Sequence, residues 1–395
     1  MDQTNISYPV KPIMNAIVML TNQCNCRCEY CFEARGTERM TFDISKDVLN
    51  FLHSSGSKSP GFTFFGGEPM LEFDTIIEPL VEYSKTIYDR PTRFAMTTNG
   101  TLFTKERLDF FKANNIRFML SMDGNRTAQS GNRPLRDGRN SFDVVMQQVP
   151  YILELWPDQS FRETLTVRNA SSLLDDILFF EKIGCTNLMI VPDLFEDWSA
   201  SAVAAIEEQV CLYEAYILKN FRCGRRPLLT HEYSMAFKRI LAAHNFKNHE
   251  RRRMGRCAGC NQCGFGVRGN ASITPAGDIF GCHHISPMHR DSLFYIGNIY
   301  DGVDEWRVRR LVDAYDPTKV GNSNCATCGL DKLCDGGCAP NNYQINGDVH
   351  KVPEMYCIWN RLIADSAYRI IQAMDAEGNA MFPAIFAEGV SKKGW

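Results

Sequence analysis

The feature that most limits the fold of this 395-residue chain is the alternation of short apolar runs with amphipathic segments in its first half. The runs predict strands at 16–20, 62–65, 93–97, 116–121, 163–167 and 188–191. The segments between them predict helices at 44–53, 75–88, 105–114, 142–155 and 172–183. Such strand–helix units form a parallel sheet, so we expect an open doubly wound sheet or an incomplete barrel. In both, reactive side chains gather at the C-terminal ends of the strands.

Cysteine usage sets the second constraint. Of the 16 cysteines, four lie between residues 24 and 31 and nine between 257 and 357. The N-terminus has no charged-then-apolar secretory signal, so we expect a cytoplasmic protein whose clustered thiols bind metal instead of forming disulfides. A net charge of −3 gives no basic footprint for nucleic acid, and no apolar stretch approaches the roughly 18 residues of a membrane span.

The loop after the first strand contains Cys24, Cys28 and Cys31 in a C-x3-C-x2-C spacing, with Cys26 as an extra member. Three thiolates can hold an iron–sulfur cube and leave one iron open for another ligand. A zinc knuckle with Cys26 as fourth ligand is the alternative. Cys26 is two residues from both Cys24 and Cys28, which is an awkward spacing for chelating one ion.

Polar clusters end the next three strands. The second strand ends in Gly-Gly-Glu-Pro at 66–69, and paired glycines let the backbone approach a ligand closely. The third ends in Thr-Thr-Asn-Gly at 97–100 and the fourth in Ser-Met-Asp-Gly at 121–124. We expect Asn99 and Asp123 in the pocket. The alternative is that both side chains are local turn caps, which hydrogen-bond only to neighbouring backbone groups.

The three-cysteine loop and the Gly-Gly-Glu-Pro motif resemble those of radical S-adenosylmethionine (SAM) enzymes, over about the first 220 residues. The resemblance implies a partial (β/α)6 TIM-like barrel with a [4Fe–4S] cluster on Cys24, Cys28 and Cys31. Its open iron would bind the amino and carboxylate groups of SAM. Reductive cleavage would give methionine and a 5′-deoxyadenosyl radical, which abstracts hydrogen from substrate.

The same resemblance implies roles for individual residues. The cofactor-binding residues would be Gly66, Gly67, Glu68, Asn99, Ser121, Arg162 and Val191. The two glycines and Glu68 would hold the methionyl amine, Ser121 would lie near the SAM carboxylate or ribose, and 188–191 would pack on the adenine. Arg162 or Arg168 would neutralise the carboxylate. Asp123 and His283 are the candidate catalytic residues.

The C-terminal cysteines, from Cys263 onward, resemble the SPASM domain that follows many peptide-modifying radical SAM enzymes. With Cys257 they make eight thiolates, enough for two further clusters and three [4Fe–4S] clusters in all. The implied first auxiliary set is Cys257, Cys263, Cys282 and Cys338. The implied second auxiliary set is Cys325, Cys328, Cys334 and Cys357. Cys260 could replace Cys257 or be free, and a pair of zinc sites is the alternative.

We expect four parts along the chain. They are a barrel (1–225), a helical bridging segment (226–256), a SPASM domain (257–360), and a C-terminal helix and tail (361–395). Residues 238–256 are locally basic and form either a solvated face or a docking surface for an acidic peptide.

The SPASM resemblance implies a peptide or protein substrate, with a thioether cross-link in a ribosomal precursor peptide as our first expectation. The alternative is an anaerobic sulfatase-maturing enzyme. That branch has an aspartate just after the cysteine that corresponds to Cys282, whereas this chain has His283, which is either a base or a packed histidine. A radical enzyme for a small molecule and a non-catalytic iron–sulfur or zinc scaffold are the remaining alternatives.

The implied partners are the precursor peptide and an electron donor such as ferredoxin or flavodoxin. The first strand begins near residue 16, which leaves no room for an N-terminal leader-binding domain. We therefore expect leader recognition by the basic segment, by the SPASM surface or by a separate leader-binding protein.

Overall fold

The computed structural model describes residues 12–33, 35–245, 269–285, 288–316, 319–330, 334 and 336–379. The strands of its first half are β1 (Asn15–Thr21), β2 (Gly61–Gly66), β3 (Arg93–Thr98), β4 (Arg117–Ser121), β5 (Ser160–Leu165) and β6 (Asn187–Pro192). All six predicted strands are confirmed, although the fifth begins at Ser160 instead of residue 163.

The order of these strands decides between the two expected folds. Each strand is parallel to the next along the chain, in the order β1-β2-β3-β4-β5-β6. Right-handed crossovers between sequential neighbours place the helices on one face of the sheet, whereas a doubly wound sheet reverses its strand order. The partial (β/α)6 barrel is therefore confirmed.

The barrel part contains the helices predicted between its strands, with two differences, and two further helices after its last strand. They are α1 (Phe42–Ser54), α2 (Glu78–Ile87), α3 (Lys105–Ala113), α4 (Arg126–Asn132), α5 (Ser141–Met146), α6 (Val149–Leu155), α7 (Leu173–Lys182), α8 (Ala200–Arg222) and α9 (His231–Asn245). The predicted helix 142–155 is split into α5 and α6, because Pro150 lacks an N–H and is tolerated only in the first turn of a new helix. Helix α4 follows an Asn125 cap and was not predicted.

The C-terminal part extends the barrel sheet. Its elements are β7 (Asn270–Ile273), β8 (Asp278–Phe280), β9 (Tyr295–Asn298), β10 (Gly302–Val303), α10 (Glu305–Asp313), α11 (Ala339–Asn346) and α12 (Glu354–Ala376). β7 pairs in parallel with β1, and β8 to β10 continue the sheet as antiparallel neighbours. Buried Ile273, Ile279 and Phe280 join the barrel core.

Helix α12 begins at Glu354, before the predicted start at 361, so it crosses the predicted domain boundary and carries Cys357 in its first turn. It packs against α8 and α9, where the Tyr233 hydroxyl donates to Ser366 Oγ at 2.8 Å. Within the described ranges, no helix combines the length and the apolar character that a membrane span needs.

Candidate active site

The three-cysteine loop leaves the C-terminal end of β1 and is held by backbone hydrogen bonds on both sides. On one side Arg27 N donates to Pro134 O at 2.8 Å, and Arg136 N donates to Asn25 O at 2.9 Å. On the other side Met40 N donates to Leu20 O at 2.7 Å. The segment after α4 thus forms one wall of the loop.

The fourth thiol of the loop differs from the other three. Cys26 is buried and forms an isolated bridge with Leu135. Its thiol is in hydrogen-bonding contact with the sulfurs of Cys24 and Cys28. These hydrogen bonds raise the pKa of Cys26 and lower the pKa of both neighbours. Cys26 is therefore placed to stay protonated while Cys24 and Cys28 favour the thiolate form that binds iron.

The Gly-Gly-Glu-Pro turn contacts the cysteine loop directly. Gly67 N donates to Thr21 O at 2.8 Å and Glu68 N donates to Gln23 O at 2.9 Å. A Cβ at Gly66 would lie 2.3 Å from Thr21 O, and one at Gly67 would lie 2.2 Å from Gln23 O. Gly66 also has a φ of +128°. Glycine is needed at both positions because the backbone of the turn packs directly against the backbone of the cysteine loop.

The side chain of Glu68 is held in place by three hydrogen bonds. Its buried carboxylate accepts from Thr98 Oγ1 at 2.7 Å, Asn99 N at 2.8 Å and Met70 N at 3.0 Å. Burial raises its pKa to about 7, against the opposing effect of the hydrogen bonds. A bound ammonium group would favour the ionised form, which suits the role predicted for Glu68.

Asn99 connects the end of β3 to the cysteine loop. Its Nδ2 donates to Asn25 Oδ1 at 2.9 Å and lies 3.9 Å from Cys24 Sγ. Its Oδ1 accepts from Thr101 N at 2.9 Å. Asn99 is thus both the local turn cap and a support of the loop.

Asp123 lies fully buried behind the cysteine loop. Its carboxylate accepts from Arg133 Nη2 at 2.9 Å, from Thr164 N at 2.9 Å and from the Tyr30 hydroxyl at 2.5 Å. The Arg133 guanidinium also lies over the Tyr30 ring, 5.2 Å from its centroid. These contacts make Asp123 a candidate positioning group for Tyr30, a role other than the catalytic one that the sequence suggests.

Replacing Asp123 by alanine would leave the buried Arg133 without its counter-charge. We expect Asp123→Ala to lower the free energy of unfolding by about 3–5 kcal/mol, measured by urea titration of the cluster-free chain. Asp143→Ala, which breaks the exposed pair of Asp143 with Arg126, should cost less than about 1 kcal/mol. If Asp123→Ala abolished product formation without changing the free energy of unfolding, Asp123 would be a catalytic base instead.

A cavity of about 170 Å³ lies between the cysteine loop and the ends of the barrel strands. Its walls include predicted cofactor residues from five strand ends, namely Gly66, Gly67, Glu68, Asn99, Ser121, Arg162 and Val191. All the cofactor-binding residues predicted from the sequence are therefore brought together, beside Cys24, Cys28 and Cys31.

The polar groups of this cavity fit SAM, which carries an ammonium, a carboxylate and ribose hydroxyls. Arg162 Nε is a buried donor without a hydrogen-bond partner among the described residues, and Glu33 Oε1 is a buried acceptor in the same condition. Burial raises the pKa of Glu33 to about 8. Arg162 thus offers an unpaired donor for a carboxylate, and a bound ammonium group would favour the ionised forms of Glu33 and Glu68, whose pKa values burial raises to about 8 and about 7.

The two arginines considered for the SAM carboxylate, Arg162 and Arg168, lie in different places. Arg162 lies on β5 and lines the cavity, whereas Arg168 pairs with Glu29 and lines a separate outer cavity. The exposed fractions of the paired side chains are 52% for Arg168 and 63% for Glu29, so this ion pair is well solvated. The geometry favours Arg162 as the partner of the SAM carboxylate.

We expect Arg162→Met to weaken SAM binding about 10- to 100-fold, because it removes a charge-assisted hydrogen bond from a desolvated site. Arg168→Met, the matched control, should change the Kd by less than about twofold. Anaerobic calorimetry on the reconstituted protein measures both. The reverse order would assign the carboxylate to Arg168.

The two histidines after β8 have different positions. His283 packs edge-on against Phe65, with ring centroids 4.9 Å apart. His284 stacks on Phe32 at 4.9 Å and 13°, and it is His284 that belongs to the lining of the cavity. Burial lowers the pKa of His283 well below its usual range and that of His284 to about 4. The sequence singled out His283, and the tertiary structure adds His284 as the histidine facing the cavity.

Four of the described C-terminal cysteines lie near one another. Burial raises the pKa of Cys357, and the neighbouring thiols of Cys334, Cys325 and Cys328 raise it further, to about 11, so the second auxiliary set lies together. Cys282 follows β8 and Cys338 caps α11, while Cys257, Cys260 and Cys263 lie outside the described residues. Within the described part of the chain, no three His, Cys, Asp or Glu side chains converge tightly enough to share a single ion.

Sequence reasoning missed several residues of this site. Tyr30, Glu33, Arg133 and Thr164 reach the cavity through turns and strand alternation, as does Asn341 from the C-terminal part. Only Tyr30 and Glu33 carried a signal, since both lie next to the cysteine motif. The others depend on how distant segments fold together.

The open parallel barrel carries a three-thiol loop beside a cavity lined by Arg162, Glu33 and Glu68, which suits a thiolate-ligated cluster next to a small zwitterionic ligand. Residues 18–169 match the family model of the radical SAM superfamily. The chain thus contains a radical SAM domain.

Curated relatives extend the likeness beyond this domain. A serine-type anaerobic sulfatase-maturating enzyme of Bacteroides thetaiotaomicron is 23% identical over 88% of the chain and 87% of its own length. The radical SAM cyclopropyl synthase TigE of Paramaledivibacter caminithermalis is 21% identical over 81% of the chain, which spans 66% of TigE.

Solved structures share the fold. The structure of native anSMEcpe with bound AdoMet and the Cp18Cys peptide has a TM-score of 0.71 at 18% identity, covering 92% of this chain and 99% of its own. SuiB of Streptococcus suis bound to the precursor peptide SuiA has a TM-score of 0.57 at 16% identity, covering 88% and 76%. At these identities the likeness concerns the fold.

Proposed function

We propose that the chain is a cytoplasmic radical SAM maturase that acts on a ribosomal precursor peptide and closes a cross-link, a thioether in the first instance. One observation carries the proposal. The cavity lined by the predicted SAM-binding residues shares walls with a larger outer cavity and with an inner chamber lined by Cys334 and Cys338.

The radical site would be assembled by residues from every barrel strand. Cys24, Cys28 and Cys31 would hold a [4Fe–4S] cluster, and Arg162 and Glu68 would bind the two charged ends of the methionyl group. Val191, at the end of β6, would contact the adenine. When bound, cluster and SAM supply a 5′-deoxyadenosyl radical that removes a hydrogen atom from substrate.

The outer cavity is the proposed peptide entrance. It measures about 820 Å³ and shares Tyr30, Cys31, Phe32, Asp193 and Phe195 with the SAM cavity. Phe195 is 48% exposed and Tyr343, on another part of the same wall, is 36% exposed, so both rings are accessible to a peptide. The relatives named above that have a bound peptide support this class of substrate by their fold.

The inner chamber is the proposed electron exit. It measures about 500 Å³, shares Arg162, Val191 and His284 with the SAM cavity, and is also lined by Cys334 and Cys338. With one auxiliary cluster held through Cys338 and the other through Cys334, for three clusters in all, an electron released on S–C bond formation would have an acceptor close by. A ferredoxin or flavodoxin would supply the reducing electron, and a separate protein could present the leader.

The test is anaerobic incubation of the reconstituted chain with dithionite, SAM and the short peptide encoded beside its gene. We expect 5′-deoxyadenosine together with a loss of two hydrogens per link in the peptide mass. The Cys31→Ala variant is the control and should give neither. SAM cleavage with an unchanged peptide would reject the peptide, whereas no cleavage at all would reject the radical site.

A sulfatase-maturing activity is the second candidate, because the Bacteroides relative of that name aligns over most of both chains. His283 stands where that branch carries its aspartate. Incubation with a synthetic sulfatase peptide separates the two activities, since formylglycine is an aldehyde that a hydrazide probe captures. Aldehyde formation would replace cross-linking as the function.

A further inference from the structure

The second auxiliary set has a hydrogen-bond donor at each of its four sulfurs. Asn322 supplies two of them, from N to Cys325 Sγ at 3.1 Å and from Nδ2 to Cys357 Sγ at 3.5 Å. Gly336 N donates to Cys334 Sγ at 3.3 Å. The Arg361 guanidinium donates to Cys328 Sγ at 3.5 Å through Nη2.

These donors differ in charge. Three are neutral amides, whereas Arg361 carries a full positive charge and reaches Cys328 from the second turn of α12. A donor to a ligand sulfur stabilises negative charge on a cluster, and reduction adds one electron to that cluster. A charged donor stabilises it more than a neutral one does.

The location of the set adds to this effect. Cys325, Cys328 and Cys357 line a surface cavity of about 1330 Å³ together with Arg361, whose side chain is exposed. Solvent access and hydrogen bonds to sulfur are two of the properties that set the reduction potential of an iron–sulfur cluster. Exposure also screens the Arg361 charge, which limits its contribution.

We propose that Arg361 is a positioning residue that raises the reduction potential of the cluster held by Cys325, Cys328, Cys334 and Cys357. This inference rests on the proposed function, which assigns those four cysteines to one cluster. It makes the cluster at the surface an acceptor for the electron that leaves the substrate.

The experiment is a potentiometric titration followed by electron paramagnetic resonance. It uses the full chain with Cys24→Ala, Cys28→Ala and Cys31→Ala, so that only auxiliary clusters are bound. We expect Arg361→Gln to lower one midpoint, with the equilibrium constant of reduction falling about three- to tenfold, or about 28 to 59 mV for one electron. Arg361→Lys, which keeps the charge, should move it less.

Arg369→Gln is the matched control, because Arg369 lies on the same helix and pairs with Glu214 at 2.6 Å, away from the thiols. It should leave both midpoints unchanged. An unchanged midpoint in Arg361→Gln would overturn the proposal. Loss of the iron of that cluster would also overturn it, because Arg361 would then hold the cluster instead of tuning it. If the parent chain binds fewer than two auxiliary clusters, the proposed function fails instead.

Discussion

Cys31→Ala is expected to abolish the reductive cleavage of SAM, with 5′-deoxyadenosine falling to the background of an enzyme-free reaction. Removing one of three thiolates leaves two ligands, too few to hold the cube in the cysteine loop. The loop should lose the iron of one cluster while the auxiliary iron stays. Iron and sulfide analysis of anaerobic protein, with chromatography of the nucleoside product, measures both effects.

Cys26→Ala is the matched control in the same loop. Cys26 is buried and is kept protonated by its hydrogen bonding with Cys24 and Cys28, so it is not a ligand, and its removal should leave the iron in place and most of the cleavage rate intact. The opposite result, with Cys26 required and Cys31 dispensable, would contradict the ligand assignment. Zinc in oxygen-free material would contradict the radical site altogether.

Gly67→Ala is expected to lower SAM cleavage about 100-fold or more. The added Cβ would lie 2.2 Å from the carbonyl oxygen of Gln23, the residue before Cys24. The atoms of the cysteine loop that it would meet are all backbone atoms. No side chain can yield, so the cysteine loop must move. A displacement of about 1 Å at a reacting centre costs about 100-fold in rate.

The control for this substitution is Gly131→Ala in α4. Gly131 has nothing within 4 Å of an added Cβ, so the substitution should leave iron content and peptide-free SAM cleavage unchanged. Normal cleavage by Gly67→Ala would show that the turn and the loop can separate without cost. The glycine pair would then have a different role from the one that the interface indicates.

The barrel could be predicted from the sequence because the patterns that indicate its strands and helices involve only residues close together in the chain. A period of two in strands and of 3.6 in helices follows from side-chain geometry alone, which is why all six strands were predicted. The strand edges were less certain. Arg162 lies in β5 ahead of the predicted start at 163, because sequence periodicity treats an arginine as exposed whereas here it lines a cavity on one face of the sheet.

The short C-terminal strands were not predicted for the opposite reason. β8 has three residues and β10 has two, too few for any period to show. Their positions depend on the free edge of β1, which β7 extends by parallel pairing. Pairing across more than 200 residues leaves no local trace in the sequence.

By itself, the sequence determined the chemistry available to this protein, since thiol spacing and paired glycines at strand ends depend only on neighbouring residues. Only the tertiary structure decided which charged groups share the cavity. It placed Arg162 there instead of Arg168, turned His284 towards the cavity, and buried Asp123 against Arg133. The sequence alone does not show which charged side chains share a cavity, because their burial and pairing depend on segments that meet only in the folded chain.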